Sequence, residues 1–260
     1  MPQRPIQAVL FDLDDTLLDW SARRDDGAVY HRPHLTRLYG YLAECGHDLP
    51  AEAVFLGAFD TAVTAAWAEA KKTWQGVNFA NTLQTIFTNL GLDTASIDIT
   101  AVLLAYDWQP IPDVSLYADA IPVLATLRQQ NYRLGLITNS MMPMWMRDIE
   151  LQAYGILDYF AARITSGDVG YMKPHPAIYT HTLSLLNVRP EQAVFVGDRP
   201  SNDIVGANAA GLTSVLMAPS HLGREQKELA AEARPDFVIT TLTELLPLLD
   251  SLQGGSGKDG

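Results

Sequence analysis

The 260-residue chain holds one cysteine, Cys45, which excludes an internal disulfide and any thiolate zinc site and agrees with a reducing cytoplasm. Long apolar runs are also missing. No stretch approaches the roughly 18 consecutive apolar residues of a membrane-spanning helix, and the N-terminal region lacks the basic start, apolar middle and small-residue cleavage site of an export signal. The expected location is the cytoplasm, with no membrane as partner. Basic residues are scarce: 18 Lys and Arg stand against 30 Asp and Glu, for a net charge of -12 at pH 7. Nucleic acid and anionic lipid both reward clustered Lys and Arg, so neither is an expected partner. If the substrate is anionic, the site itself has to supply local positive charge. No Gly-x-Gly-x-x-Gly follows an apolar run, which leaves a dinucleotide-binding dehydrogenase without support. The Gly257-Lys258 pair has no preceding strand and lacks the glycine spacing of a phosphate-binding P-loop.

What is present is 48% hydrophobic residues, enough for a sizeable core in one large domain or in a core plus a smaller domain. Several apolar or β-branched runs stop at Gly, Asp, Asn or Ser and are followed by helical patterns, the rhythm of a parallel α/β sheet with helices on both faces. The candidate strands are Ala8 to Phe11, Arg133 to Thr138, Arg163 to Thr165, Ala193 to Val196, Ser214 to Met217 and Asp236 to Ile239. Between the first two, helices are expected: Leu35, Leu38, Tyr39 and Leu42 follow i, i+3, i+4, i+7 spacing, as do Leu83, Ile86, Phe87 and Leu90. Ala51 to Lys72 is an Ala-rich helical stretch, Ala101 begins a further one, and Pro110 and Pro112 mark the return to the core ahead of a helix over Ala118 to Gln130. The expected division is a Rossmann-like core of residues 1–18 and 113–250, an inserted all-helical cap of residues 19–112, and a flexible tail of residues 251–260.

Most of the chemistry is concentrated in Ala8-Val9-Leu10-Phe11-Asp12-Leu13-Asp14-Asp15-Thr16-Leu17, an apolar run ending in three carboxylates within four positions. In a pleated strand Asp12 and Asp14 share a face while Phe11 and Leu13 point into the core. Two such charges at about 4 Å repel by about 4 kcal/mol at an effective dielectric of about 20, which calls for a shared proton or a bound cation. An exposed turn in which Asp15 caps a helix is the alternative. Three more sites lie past predicted strand ends, where open parallel sheets place ligands. Thr138-Asn139-Ser140 offers hydroxyl, amide and loop N–H donors to an anion, or caps a helix. Lys173 lies in a loop held by Pro174 and Pro176 ahead of a helix beginning near Ala177. Gly197-Asp198 and Asp203 follow a buried strand, with Asp203 opening a helix that runs to Gly211; helix capping accounts for Asp203 and not for Asp198.

This order resembles the haloacid dehalogenase superfamily, whose four motifs match Asp12-x-Asp14-x-Thr16, Thr138, Lys173 and Gly197-Asp198-x-x-x-x-Asp203. The resemblance covers residues from about 6 to 240, closely in the core and only by position and type in the cap, which is similar to the helical first-type cap of phosphoglycolate phosphatase, nucleotidase and N-acylneuraminate phosphatase relatives. It implies a Mg²⁺-dependent phosphomonoester hydrolase acting on a small phosphate ester. Asp12 would be the nucleophile and Asp14 the general acid and base. Asp12, the Asp14 carbonyl and Asp198 would hold the metal. Thr138, the Asn139 N–H and Lys173 would hold the phosphoryl oxygens. Thr16 and Asp203 would support the site from behind, Asp203 by orienting a metal water or Lys173. The dehalogenases carry an aromatic residue where this chain has Asp14, which favours phosphate esters over carbon substrates. The phosphonate-cleaving relatives need a cap lysine; Lys71 and Lys72 lie there, but the first motif differs. A sugar phosphomutase of the same superfamily and a non-enzymatic receiver-like phosphoacceptor are the alternatives, the second weakened by the cap and by Asp14.

Substrate contacts are expected from Trp20, Arg23, Arg24 and His31, together with Trp67, Lys71, Lys72 and Trp74, although core packing is an alternative for the tryptophans. The Met-rich segment from Met141 to Met146 either lines the pocket or packs under the cap. The expected assembly is a monomer or homodimer.

Overall fold

Strands that are apolar along their whole length, with no polar alternation, need cover on both faces, and a parallel sheet with helices on each side provides it. The computed structural model describes residues 6–23, 30–219 and 232–254. Its strands are β1 (Ala8–Phe11), β2 (Leu18–Asp19), β3 (Ser115–Leu116), β4 (Arg133–Thr138), β5 (Ala162–Thr165), β6 (Ala193–Gly197), β7 (Thr213–Met217) and β8 (Phe237–Ile239). Six of them form one sheet in the order β5-β4-β1-β6-β7-β8, every neighbouring pair parallel. β1 sits between β4 and β6, with Phe11 opposite both Leu136 and Val196. The chain leaves β1 in one direction to build β4 and β5, then returns to build β6 on the other side. The C-terminal end of β1 is therefore the switch point at which such sheets open a crevice.

Residue parity divides the core into two layers. Val9, Phe11, Leu134 and Leu136 join one cluster with α5 (Ala120–Gln129) and α6 (Met144–Ala153). Leu10, Ile137 and Phe195 face α8 (Pro176–Leu186) on the opposite side. Further core helices among the described residues are α7 (Ser166–Val169), α9 (Val205–Ala209) and α10 (Leu245–Gly254). Among the described residues, the α-helices between β2 and β3 are α1 (His31–Glu44), α2 (Glu52–Thr73), α3 (Phe79–Asn89) and α4 (Ile99–Ala105), and they pack Leu35, Leu38, Phe55, Phe59, Phe87 and Val102 together. β2 and β3 pair antiparallel, Leu18 opposite Leu116, and so tie the outgoing chain to the returning one. A second seam joins this helical segment to the core: Gly76 N–H donates to the Gly170 carbonyl at 2.9 Å and Phe79 N–H to the Met141 carbonyl at 3.0 Å. Gly76 must be glycine here, because a β-carbon would stand 1.9 Å from the Ser166 carbonyl oxygen.

Several expected boundaries shift. The β2–β3 ribbon was not among the expected strands, since two-residue strands carry no readable periodicity. Residues 251–254, expected in a flexible tail, continue α10, where Leu245 and Leu249 are buried and the Gln253 Nε2 donates to the Ile6 carbonyl at 2.7 Å. α4 begins at Ile99 because the Asp98 carboxylate accepts from the N–H groups of Thr100 and Ala101. Asp203 does not open a helix. It lies inside a π-helical turn, Pro200–Ile204, and its Oδ2 reaches back to accept from the Arg199 N–H at 2.9 Å. Among the described residues no helix is long and apolar enough to cross a membrane.

Candidate active site

Asp12 follows β1 directly, and its N–H continues the ladder to the Val196 carbonyl at 2.9 Å, so its side chain is delivered into the crevice by sheet geometry. It is buried, which rules out the exposed-turn alternative. Lys173, also buried, comes from the loop after α7 and places its Nζ 2.5 Å from Asp12 Oδ1 and 2.7 Å from Asp203 Oδ1. Burial alone would push the lysine down, but the two carboxylates outweigh it and raise it above its ordinary value. Burial pushes Asp12 up to about 6, with Lys173 pulling the other way and Asp203 and Asp14 adding to the rise. Asn139 fixes the lysine loop: its Oδ1 accepts from the Lys173 N–H at 2.8 Å and its Nδ2 donates to the Lys173 carbonyl at 3.0 Å.

Asp198 follows β6 and is pushed up to about 9, first by burial and then by Asp203 and Asp12, with Arg199 opposing. The Thr16 hydroxyl donates to its Oδ1 at a long 3.5 Å. Carboxylate oxygens of Asp12, Asp198 and Asp203 lie within 4.8 Å of one another, all buried. Lys173 offsets Asp12 and Asp203, which leaves Asp198 as the carboxyl whose ionisation lacks a contacting lysine. An all-oxygen donor set that includes a buried carboxylate pushed up despite Arg199 fits a hard divalent cation such as Mg²⁺.

Asp14 has contacting partners of its own. Its carboxylate accepts from the Trp20 indole N–H at 3.1 Å and from Arg147 Nη2 at 3.1 Å on one oxygen and 3.3 Å on the other. The Thr138 hydroxyl stands 3.5 Å from its Oδ2. Arg147 also places its Nε 2.9 Å from Glu150 Oε2, one turn along α6. Burial pushes Glu150 up to about 7 against the pull of Arg147, while Asp14 and Glu150 hold Arg147 charged despite its burial. The repulsion expected between Asp12 and Asp14 is thus relieved by two different protein cations, Lys173 and Arg147. Arg147 was not among the expected site residues. A single arginine inside a helix has no spacing signal, and only the fold brings it under Asp14.

Of the expected substrate contacts, Trp20 reaches Asp14. Arg23 lies over the Tyr30 ring at 5.6 Å from its centroid and donates to the Pro112 carbonyl at 2.9 Å. His31 is taken up by the cap's own aromatic cluster, hydrogen-bonded to the Tyr106 hydroxyl and packed against Tyr30 and Trp108, and burial pushes it down to about 3. Its side chain is half-buried. Arg24 lies outside the described residues. Trp67 and Trp74 pack against the core cluster, and Lys71 and Lys72 are exposed, Lys72 paired with Glu69. Met141, Met142 and Met146 are buried, which decides for packing under the cap.

The sequence matches the haloacid dehalogenase-like hydrolase family over residues 6–211. A glyceraldehyde 3-phosphate phosphatase of Methanopyrus kandleri is 31% identical over 255 residues, 95% of this chain and 98% of that protein. A ribulose-1,5-bisphosphate 5-phosphatase of Halopiger xanaduensis is 31% identical over 251 residues, 93% of this chain and 98% of that protein. Among solved structures, an HAD phosphatase from Thermococcus onnurineus superposes with a TM-score of 0.59 at 27% identity, covering 96% of this chain and 99% of that one. Given a family match that includes all four strand-end sites, the chain belongs to the haloacid dehalogenase-like hydrolases.

Proposed function

We propose that this protein is a Mg²⁺-dependent phosphatase that hydrolyses a small phosphorylated metabolite through an aspartyl-phosphate on Asp12. The observation that carries this function is the carboxylate of Asp14, two residues beyond Asp12, beside the Thr138 hydroxyl and held by its own cation. A phosphate ester needs a group that protonates the departing alkoxide, and Asp14 is placed to be that group.

An Asp12 oxygen attacks phosphorus while the bond from phosphorus to the ester oxygen breaks, and Asp14 gives its proton to the departing alkoxide. Lys173, which touches Asp12 at 2.5 Å, also offers its charge to the phosphoryl oxygens as they gather in the transition state, with Thr138 and the Asn139 N–H as further donors. Water then attacks the phosphorus of the intermediate, Asp14 takes its proton, and phosphate leaves with Asp12 restored. Asp12, Asp198 and the Asp14 carbonyl would hold Mg²⁺, which when bound supplies the charge that lets Asp198 ionise and phosphate approach. Asp203 holds Lys173 from behind at 2.7 Å. The helical segment between β2 and β3 acts as the cap that excludes water and meets the leaving group. The relatives named as glyceraldehyde 3-phosphate phosphatase and ribulose-1,5-bisphosphate 5-phosphatase, both at 31% identity, support small phosphorylated sugars and related metabolites as the substrate class.

The test is phosphate release from a panel of sugar phosphates, glycerol phosphates and nucleoside monophosphates, with and without Mg²⁺, beside Asp12→Asn. Metal-dependent release that disappears in the variant is expected. Silence across the panel with a phosphorylated protein trapped instead would overturn the proposal in favour of a phosphomutase or a phosphoacceptor module.

A further inference from the structure

Asp14 is gripped from two directions that differ in kind. Trp20 reaches it from the residue after β2, where the chain leaves the core, and contributes one N–H at 3.1 Å to Oδ1. Arg147 reaches it from α6 in the core and spans both oxygens, at 3.1 and 3.3 Å. Arg147 is 5% exposed and Glu150 is 1% exposed, so neither is available to a ligand in the crevice. A buried Arg–Glu pair is poorly explained by stability alone, because exchanging such a pair for apolar side chains of similar volume is often neutral or stabilising. What the pair does supply is position: the guanidinium, with its Nε 2.9 Å from Glu150 Oε2, sets one nitrogen, Nη2, against both oxygens of Asp14, and its rigid plane gives that nitrogen less freedom than the ammonium at the end of a flexible lysine stem.

We infer that Arg147, oriented by Glu150, is the positioning residue that sets Asp14 for proton transfer to the leaving group. The inference rests on the phosphatase function proposed above. In that reaction the electron pair of the breaking phosphorus–oxygen bond goes to the ester oxygen, which takes the proton of Asp14 and departs as the alcohol. Asp14 has free side-chain torsions and must stay within about 2.6–3.2 Å of that oxygen for the transfer to help. Displacement by about 1 Å is enough to lose about 100-fold in rate. Arg147 removes that freedom without touching the substrate.

The experiment compares Arg147→Lys and the double variant Arg147→Met/Glu150→Met with wild type on two kinds of ester. One is whichever of glyceraldehyde 3-phosphate, glycerol 3-phosphate and ribose 5-phosphate the wild type hydrolyses fastest; its alkoxide needs a proton to leave. The other is p-nitrophenyl phosphate, whose phenolate leaves without one. The parameter is kcat/KM, which covers steps through departure of the leaving group and omits hydrolysis of the intermediate. We expect kcat/KM for the sugar-type ester to fall about 100-fold in both variants while that for p-nitrophenyl phosphate stays near wild type. In an Asp14→Asn background the same substitutions should cause no further loss, because there is no carboxyl left to position. The double variant removes both charges of the buried Arg147–Glu150 pair and leaves Asp14 with the Trp20 N–H and the Thr138 hydroxyl, and Arg147→Lys serves should it fail to fold. Equal losses on both esters, no loss on either, or additive losses with Asp14→Asn would overturn the inference while leaving the phosphatase function standing. A wild type that releases phosphate from none of the four esters would instead remove the phosphatase function, and the inference with it.

Discussion

Gly197 lies directly beneath Asp203: a β-carbon at position 197 would stand 2.4 Å from the Asp203 Cγ and 2.5 Å from its Oδ2. The last residue of β6 is therefore glycine because the carboxyl that holds Lys173 occupies the space a side chain would take. Gly197→Ala forces Asp203 aside and with it the 2.7 Å contact to Lys173. We expect a loss of about 1–3 kcal/mol in stability, the usual scale of overpacking, and a fall in phosphatase activity. Denaturant unfolding and phosphate release measure the two effects, and a variant with wild-type values for both would contradict the contact.

Asp12→Asn retains the shape of the side chain and leaves Asp203 to pair with Lys173. The fold should survive while phosphate release falls below about one thousandth of wild type, in line with the loss of a nucleophile. Circular dichroism together with the phosphate assay checks this. Wild-type-like hydrolysis by the folded variant would place the nucleophile elsewhere.

Mg²⁺ binding should strengthen as pH rises. Asp198 is raised from 3.8 to about 9, so without metal the native state binds more protons than the unfolded chain across that window, and this group makes the protein less stable as pH increases. A divalent ion must displace that proton, and its stabilising effect grows where the proton is already leaving. The rise in melting temperature on adding Mg²⁺ is expected to be larger near pH 8 than near pH 6, and Asp198→Asn should abolish most of it. A pH-independent shift, or one retained in the variant, would count against the assigned metal residues.

His31 makes the cap sensitive to acid in the opposite sense. Burial lowers it from 6.5 to about 3, so below pH 6.5 the unfolded chain takes up a proton that the native state resists, and stability falls as pH drops toward 3. His31→Gln, which keeps a hydrogen-bonding group toward Tyr106, is expected to flatten that fall relative to wild type. Unfolding midpoints measured across this range decide the matter, and identical pH profiles for the two proteins would overturn it.

The sheet was legible because its strands are continuous apolar runs that end at polar residues, and Ala8–Phe11 and Arg133–Thr138 have the expected ends. Asp12, Thr138, Lys173 and Asp198 were legible as a group because parallel strands all point their C-terminal ends the same way, so successive strand ends converge however far apart they lie in the chain. The β2–β3 ribbon was not, because pairing Leu18 with Leu116 is a long-range event with no local pattern. His31 illustrates the same limit within the cap: its position near the first motif suggested a substrate contact, while the meeting of α1 with Tyr106 and Trp108 packs its half-buried ring into an aromatic cluster that no local pattern announces.

By itself, then, the order of residues determined the α/β class, the helical insertion after the first strand, and the acidic and cationic groups at four strand ends, since these follow from periodicity and from short-range spacing. Only the tertiary structure decided how the charges divide, with Lys173 serving Asp12 and Asp203 and Arg147 serving Asp14. Coulomb interactions depend on distance and burial, and for side chains as many as 161 positions apart both quantities exist only once the chain has closed.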